Sequence, residues 1–238
     1  MKIIIVYDRP ASADISNTPP DHADVLIQVQ SVRDTLISMG HEVWVRDFDL
    51  NLGSFKEQLT STAPDLIFNL VESVGGRGSL IHLAPALFDI IHIPYTGSNT
   101  DAMFKTSNKC LAKELLKANA VPTPDSYTTK DLKNRDIALS GEYIIKSVWE
   151  HASIGLDDSS IVRPASAQGL YNEMQKRKER LGGMCLAEEY IDGREFNLSM
   201  LGGSCGPEVL PPAEIRFISY DNNKKKIVGY DAKWAEHT

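Results

Sequence analysis

The chain has 238 residues, of which 42% are apolar and 24% are charged, and this globular composition excludes a disordered or fibrous protein. Its 25 Lys and Arg residues are outnumbered by 32 Asp and Glu residues, and the formal net charge of −7 argues against nucleic acid as a partner. The apolar run at residues 3–7 is far shorter than the ~20 residues of a spanning helix, so we expect no membrane segment and no signal peptide. Three cysteines leave one unpaired in any disulfide scheme, which favours a reducing, cytoplasmic location.

The six histidines form no pattern typical of a zinc site, because no HExxH motif occurs and no two histidines lie four positions apart. We therefore predict no metal site among them. The sequence also lacks the motif GxxxxGK[ST], and no GxGxxG follows the first apolar run. These absences exclude the two most common glycine-rich phosphate-binding loops.

The first part of the chain predicts an α/β domain. The run KIIIVYD is β-branched and almost continuously apolar, which is typical of a strand buried on both faces of a parallel sheet. Apolar residues spaced by four, three and four positions over 25–36 predict an amphipathic helix that ends at Gly40. Further strands are predicted at HEVWVRDF, DLIFNL and IIHIPY, with a helix over 80–88. This β-α-β-α-β order predicts a small three-layer domain with right-handed crossovers over residues 1–98.

The second part of the chain predicts an α+β domain rich in hairpins. A helix that begins at Ser107 runs to the Val-Pro-Thr-Pro break at 121–124. The strands predicted beyond it are EYIIKSV, SSIVR, MCLAEEYI, REFNLSML, EIRFISY and KIVGYDAKW, with one charged helix over 171–180. The last two strands flank Asp221-Asn222-Asn223, so they predict an antiparallel hairpin with the lysines 224–226 in its solvated loop. We expect two subdomains here, over residues 99–184 and 185–238.

Lys146 is the first candidate ligand-binding residue. It ends an apolar strand and precedes the small-residue loop 150–155. An ammonium group and the backbone N–H groups of such a loop can share the charge of an anion such as phosphate. The alternative interpretation is an ordinary surface lysine.

A second candidate site lies where the apolar strand ending at Glu188 runs into a charged linker. The backbone groups of such a linker can pair with the edge of an adenine ring, and a carboxylate beyond it, Glu195, can accept hydrogen bonds from ribose hydroxyls. A charged turn is the alternative. Lys233 is predicted at the end of the last hairpin strand.

Taken in order, these elements resemble the ATP-grasp superfamily and, within it, the D-alanine:D-alanine ligase-like proteins. The landmarks are PDLIFNLVE, IPYTGSNTDAMFKTSNKCLAK, YIIKS with EHASIG, LAEEYIDGRE and YDAKW. Their spacing also matches, with 37 residues from Lys109 to Lys146, 42 from Lys146 to Glu188 and 38 from Glu195 to Lys233. The resemblance implies an N-terminal Rossmann-like (pre-ATP-grasp) domain, followed by an ATP-grasp domain that is incomplete at its C-terminus.

The resemblance also implies a set of ATP contacts. Lysines would hold the phosphates, Glu188 and the backbone that follows it would bind adenine, and the loop 150–155 would close over the phosphates. The implied ATP-binding residues are Lys109, Lys146, Glu150, Ser153, Gly155, Glu188, Glu189, Ile191, Glu195 and Lys233. Two of these, Ser153 and Lys233, are the implied catalytic residues.

The resemblance implies an ATP-dependent carboxylate–amine ligase that acts through an acylphosphate on a small amino acid or peptide-like substrate. Its Mg²⁺ ligands are expected beyond Thr238, because only one carboxylate, Glu236, follows Lys233 in this sequence. We therefore expect that this chain binds ATP but does not catalyse ligation alone. A second copy of the chain is the candidate partner for the apolar face of the hairpin over 214–234.

Two alternatives remain open from the sequence. One is a nucleotide-binding or regulatory module of the same fold that has no turnover. The other is a sugar-phosphate or flavin binder built on the N-terminal domain, which leaves the series of lysines unexplained.

The positions around the amino acid substrate depart from the family pattern. A Ser of the phosphate loop aligns with Ala152, a Tyr after the last Lys aligns with Trp234, and a Glu after the first strand has no counterpart in DRPASADIS. Losing buried polar partners weakens the binding of a zwitterion, so we predict that D-alanine is not the preferred substrate. The candidates for another carboxylate or amine site are Glu72, Arg77 and Ser79; a loop with a capping Ser is the alternative.

Overall fold

A three-stranded parallel sheet forms the N-terminal part of the computed structural model, which describes residues 1–8, 20–134, 137–218, 220 and 224–235. Its strands are β1 (Lys2–Asp8), β2 (Glu42–Phe48) and β3 (Leu66–Leu70), in the order β2-β1-β3. The helices here are α1 (Pro20–Ser38), α2 (Leu52–Thr62) and α3 (Leu83–Ile91). Because β1 is central, its run of isoleucines is buried, as the sequence predicted.

The core beneath this sheet is aromatic. Phe48 packs edge to face on Phe55 of α2 and on Phe88 of α3, with ring centroids 4.9 and 6.4 Å apart. The helix α2 was not predicted from the sequence. Asn51 caps it by accepting a hydrogen bond from the N–H of Ser54.

The predicted strand IIHIPY is wrong. The helix α3 continues to Ile91, and His92 ends it with a left-handed φ of 57°. Only Tyr95 forms a parallel bridge, to Ile67, and the ladder stops there because the N–H of Asn69 donates to the hydroxyl of Thr96 and not to a main-chain carbonyl. Pro94 has no N–H to extend a ladder, although its carbonyl accepts from Ile67 at 2.8 Å.

Two short helices, α4 (Thr100–Ser107) and α5 (Lys109–Ala118), lead into a second sheet. Each begins at an asparagine whose side chain accepts from the first turn. The second sheet is antiparallel and has the order β4-β7-β5-β6. Its strands and helices are β4 (Ser126–Thr128), α6 (Thr129–Asn134), β5 (Tyr143–Ser147), β6 (Ile161–Val162), α7 (Ala167–Arg177) and β7 (Cys185–Glu189).

The core of this second body lies between the sheet and α7. It is built from Leu132, Tyr143, Ile145, Leu170, Met174, Leu181, Cys185 and Ala187. This burial on one face of β5 and β7 fixes which of their residues point away from it, and those residues form the candidate site described below. The predicted charged helix over 171–180 begins earlier, at Ala167, because Ser166 caps it.

The predicted hairpin over 214–234 is wrong. Two small two-stranded sheets follow β7 instead, formed by β8 (Glu195–Asn197) with β11 (Ala213–Ile215) and by β9 (Met200–Gly203) with β10 (Gly206–Val209). The segment EIRFISY therefore pairs with β8. The segment YDAKW forms a short helix, α8 (Tyr230–Trp234), whose first N–H donates to the carbonyl of Leu156 at 2.8 Å. Lys233 consequently lies on a helix.

Some residues named in the sequence analysis lie outside the described part of the chain. These are the segment after β1, the turn at 221–223 and Glu236. Within the described residues, every helix is too short or too polar to cross a membrane.

Candidate functional site

A cluster of three lysines and one glutamate lies on the face of the second sheet that α7 leaves open. Glu188 on β7 pairs with Ile144 on β5, so Lys146, two residues further along β5, lies on the same face as Glu188. The helix α5 crosses this face and contributes Lys109 and Lys113, which share one side of the helix because they are four residues apart.

Glu188 bridges two of these lysines. One carboxylate oxygen contacts Nζ of Lys146, and the other accepts from Nζ of Lys113 at 2.9 Å. Burial acts to raise the pKa of Glu188, but the charges and hydrogen bonds of the two lysines outweigh it and hold the pKa below its usual value. Glu188 is therefore an ionised carboxylate in a mostly buried position.

Lys109 lies beside this pair. Burial, together with the nearby charge of Lys146, lowers the pKa of Lys109 to about 8. Its Nζ donates to the carbonyl of Glu150 at 2.7 Å. An anion placed next to Lys109 would favour the charged form, so this lysine is suited to a ligand of negative charge.

The loop over 150–156 approaches the cluster in a strained conformation. Ala152, Ser153 and Gly155 all have positive φ, at 54°, 60° and 67°. At Gly155 a side chain would collide with its surroundings, because an added Cβ would lie 2.9 Å from Leu181. The loop thus depends on a glycine at this position.

The segment that leads into α8 fastens the loop. The hydroxyl of Ser153 donates to the carbonyl of Val228 at 2.7 Å, and Nε1 of Trp234 donates to the carbonyl of Ala152 at 3.1 Å. These contacts bring Lys233 to the same region as Lys146.

A cavity of about 410 Å³ lies between β5, the loop and the small β8–β11 sheet. Its polar lining residues are Lys146, Ser153, Glu195, Asn197 and Lys233. Its apolar walls are Ile144, Leu156, Ile215, Ile227 and Val228. Two cationic groups, a hydroxyl and a carboxylate between apolar walls are suited to a ligand with a flat apolar ring and an anionic tail.

The other residues proposed from the sequence lie around this cavity rather than in its lining. The carboxylate of Glu150 turns towards the first domain, where both oxygens lie 3.4 Å from the N–H of Gly78. The N–H of Glu189 is used inside the sheet, since it donates to the carbonyl of Asp125 at 2.9 Å. Ile191 is 65% exposed on the linker that follows.

A second cavity, of about 520 Å³, shares Lys233 with the first. Its lining residues are Asp24, Glu72, Ile81, Met103, Thr106, Ser107, His151, Ala152, Lys233 and Trp234. Of the three residues suggested for a carboxylate or amine site, Glu72 lines this cavity. Arg77 and Ser79 are not among the lining residues.

Sequence reasoning missed two residues of this region. Lys113 is buried against Glu188, and its spacing of four from Lys109 was the available signal. Trp234 was considered only as a departure from a pattern, whereas its indole N–H holds the loop. Among the residues that the structure describes, no three His, Cys, Asp or Glu side chains are grouped so that they could hold a metal ion.

No protein-family model matches the chain. A D-alanine–D-alanine ligase of Coprothermobacter proteolyticus is 30% identical over 242 aligned positions, covering 98% of this chain and 71% of the relative. One of Aquifex aeolicus is 28% identical and covers 87% of this chain, which spans 64% of that relative.

The fold is shared with solved structures. The crystal structure of a D-alanine–D-alanine ligase from Bacillus anthracis complexed with ATP superposes with a TM-score of 0.61 at 20% identity. The match covers 92% of this chain and 68% of that one. The predicted succession of a Rossmann-like and an ATP-grasp domain is confirmed at the level of the fold.

Proposed function

Because the chain belongs to the D-alanine–D-alanine ligase family, we propose that it binds ATP and joins a carboxylate to an amine. The observation that carries this proposal is the 410 Å³ cavity, which gathers Lys146, Ser153, Glu195 and Lys233 from four separate elements. All four belong to the ten ATP-binding residues that the family resemblance implied.

We assign the nucleotide to this cavity and the cluster beside it. The phosphates would lie near Lys109, Lys146 and Lys233, under the loop that carries Ser153. The adenine would lie against Glu188 and the backbone of the linker that follows, with Glu195 on the ribose. The apolar walls of the cavity support this orientation, because they suit the ring and not the phosphates.

The proposed chemistry has two steps. A substrate carboxylate oxygen attacks the γ-phosphorus of ATP, the bond to the bridging oxygen breaks, and ADP leaves with an acylphosphate formed. The amine of a second substrate then attacks the acyl carbon, phosphate leaves with the C–O electron pair, and the nitrogen loses a proton. Such a transfer depends more on aligning the reactants and neutralising their charge than on a nucleophilic side chain. Lys109, Lys146 and Lys233 would supply the positive charge.

We place the amino acid or peptide-like substrate in the 520 Å³ cavity. Lys233 lines both cavities, so a carboxylate bound there would face the end of the nucleotide. The carboxylates of Asp24 and Glu72 are suited to an ammonium group. The relatives are named for D-alanine, but Ala152 and Trp234 change the polar groups of this wall, and we propose a different preferred amino acid.

Calorimetric titration with ATP tests the nucleotide site. Replacing a lysine that holds phosphate costs about 1.5–3 kcal/mol, so Lys146→Ala should weaken binding roughly 10- to 150-fold. The matched control is Lys176→Ala, because Lys176 is an exposed helix residue paired only with Glu173 in the described contacts. Equal affinity in the wild type and Lys146→Ala would reject the assignment.

Release of ADP in the presence of Mg²⁺ and a panel of amino acids tests the reaction. Substrate-stimulated release supports the ligase. Tight ATP binding without any release would reject turnover by this chain and leave the ATP site intact; it is the result expected both of a ligase that does not catalyse ligation alone and of a nucleotide-binding module of the same fold that has no turnover.

A further inference from the structure

Glu188 contacts two lysines that differ in their surroundings. The side chain of Lys113 is 9% exposed, and the side chain of Lys146 is 29% exposed. Lys146 also lines the 410 Å³ cavity, whereas Lys113 does not. A ligand in the cavity could therefore reach Lys146 and leave Lys113 in place.

Lys113 is fixed from both sides. Its Nζ donates to the hydroxyl of Thr123 at 2.8 Å and to the carboxylate of Glu188 at 2.9 Å. Thr123 belongs to the Val-Pro-Thr-Pro segment, whose two prolines restrict the backbone. The ammonium group is thus held at one point between α5 and β7.

A buried carboxylate must keep a cationic partner. Removing one member of a buried ion pair leaves an uncompensated charge and is strongly unfavourable. If Lys146 turned from Glu188 towards a phosphate and Glu188 had no other partner, that penalty would oppose nucleotide binding. The second lysine removes this conflict, because Glu188 keeps one ion pair in both states.

We propose that Lys113 is a positioning residue that holds Glu188 ionised and in place, and so allows Lys146 to leave Glu188 for the phosphates of a bound nucleotide. This inference rests on the proposed function, since it assigns Lys146 to the phosphates. It adds a role for a lysine that touches neither cavity. Without Lys113, Glu188 would keep Lys146 as its ion-pair partner, and Lys146 could not turn to the phosphates of the ligand.

Titration of ATP into four proteins tests this role: the wild type, Lys113→Met, Glu188→Gln and the double variant. Lys113→Met should weaken ATP binding at least 10-fold when Glu188 is present. In the Glu188→Gln background the same substitution should change the affinity less than 3-fold, because no buried carboxylate then competes for Lys146. The double variant should therefore bind ATP more tightly than Lys113→Met.

Two further variants separate positioning from folding. Lys113→Arg keeps the charge and should bind ATP within about 3-fold of the wild type. Lys117→Met is the control on the same helix, because Lys117 is exposed and pairs with Asp125 at the surface. If Lys113→Met does not fold, two comparisons still test the role of Lys113. One is the double variant against Glu188→Gln, and the other is Lys113→Arg against the wild type.

The outcomes are distinguishable. An equal loss of affinity in both backgrounds, or no loss in the first, would overturn the role of Lys113 and leave the ATP site intact. The role of Lys113 would also be overturned if Lys113→Arg bound ATP at least 10-fold more weakly than the wild type. A double variant that bound ATP at least 10-fold more weakly than Glu188→Gln would overturn it too. A wild-type chain that does not bind ATP would overturn the proposed function, and this inference with it.

Discussion

The indole N–H of Trp234 donates a hydrogen bond to the main-chain carbonyl of Ala152, with 3.1 Å between the nitrogen and the oxygen. The resemblance to the ligases pairs these two positions as a Tyr and a Ser. An indole can only donate, and Ala152 has no hydroxyl, so the contact requires a backbone acceptor. This bond fastens the loop 150–156 to α8 between the two cavities.

We predict that Trp234→Phe loosens this loop. The substitution removes the N–H but keeps an aromatic ring near Tyr230, 6.4 Å away. A neutral hydrogen bond contributes about 0.5–1.5 kcal/mol, so the affinity for ATP should fall roughly 2- to 10-fold. Hydrogen exchange of the amides at 150–156 should become faster. Trp44→Phe is the control. If the amides at 150–156 also exchanged faster in that variant, the loosening of the loop could not be assigned to the loss of the Trp234 hydrogen bond.

We predict opposite effects on stability for two glycine substitutions. Gly155→Ala should lower the free energy of unfolding by about 1–3 kcal/mol, because φ is +67° and the new Cβ would lie 2.9 Å from Leu181. Gly53→Ala lies in α2 with open space around it and should raise this free energy by about 0.4–1 kcal/mol. Denaturant titration measures both. A stable Gly155→Ala protein would show that the loop relaxes freely.

We predict proton uptake when ATP binds near pH 8. The pKa of Lys109 is about 8 in the folded chain, so this lysine is about half protonated at that pH. A nearby phosphate raises the pKa, and about half a proton should be taken up. Calorimetry in two buffers of different ionisation enthalpy measures it, and Lys109→Met should abolish it. Uptake that persists in Lys109→Met would assign the proton to another group.

Lys109 also makes the free energy of unfolding depend on pH in a defined direction. The pKa of Lys109 in the folded chain, about 8, is below the ordinary lysine value of 10.5, so the unfolded chain binds more protons between these two pH values. Lys109 therefore makes the free energy of unfolding rise as the pH rises from about 8 to 10.5. Below pH 8 its destabilising contribution is complete. A Lys109→Met protein should lack this part of the pH dependence.

The pattern of apolar and charged residues within one segment was enough to predict individual strands. The continuous apolar run of β1 indicated a central parallel strand, and Lys146 and Glu188 were recognised from the strands that carry them. Long-range contacts decided the rest. Tyr230–Trp234 alternates like a strand but forms a helix, because Tyr230 docks on Leu156 and the expected partner, Ala213–Ile215, pairs with β8. The spacing of Lys113 from Lys109 indicates only a shared face of α5; the contact of Lys113 with Glu188 joins residues 75 positions apart and could not be predicted from that spacing.

We predict that the double variant Ala152→Ser/Trp234→Tyr shifts the substrate preference towards D-alanine. These changes place two hydroxyl groups on the wall of the 520 Å³ cavity that is next to Lys233. A site that satisfies the polar groups of a small zwitterion discriminates for it far better than an apolar wall does. ADP release with D-alanine, relative to the best amino acid of a panel, should therefore rise in the double variant.

Each single variant is the control for this shift. A hydroxyl at position 152 alone faces an indole that cannot accept a hydrogen bond, and a hydroxyl at position 234 alone faces a methyl group, so each should gain less than the pair. If turnover is absent, the stabilisation of the ATP complex by D-alanine in a thermal unfolding assay gives the same ranking. A wild-type chain that releases ADP faster with D-alanine than with any other amino acid would show that the indole and Ala152 leave the D-alanine site intact.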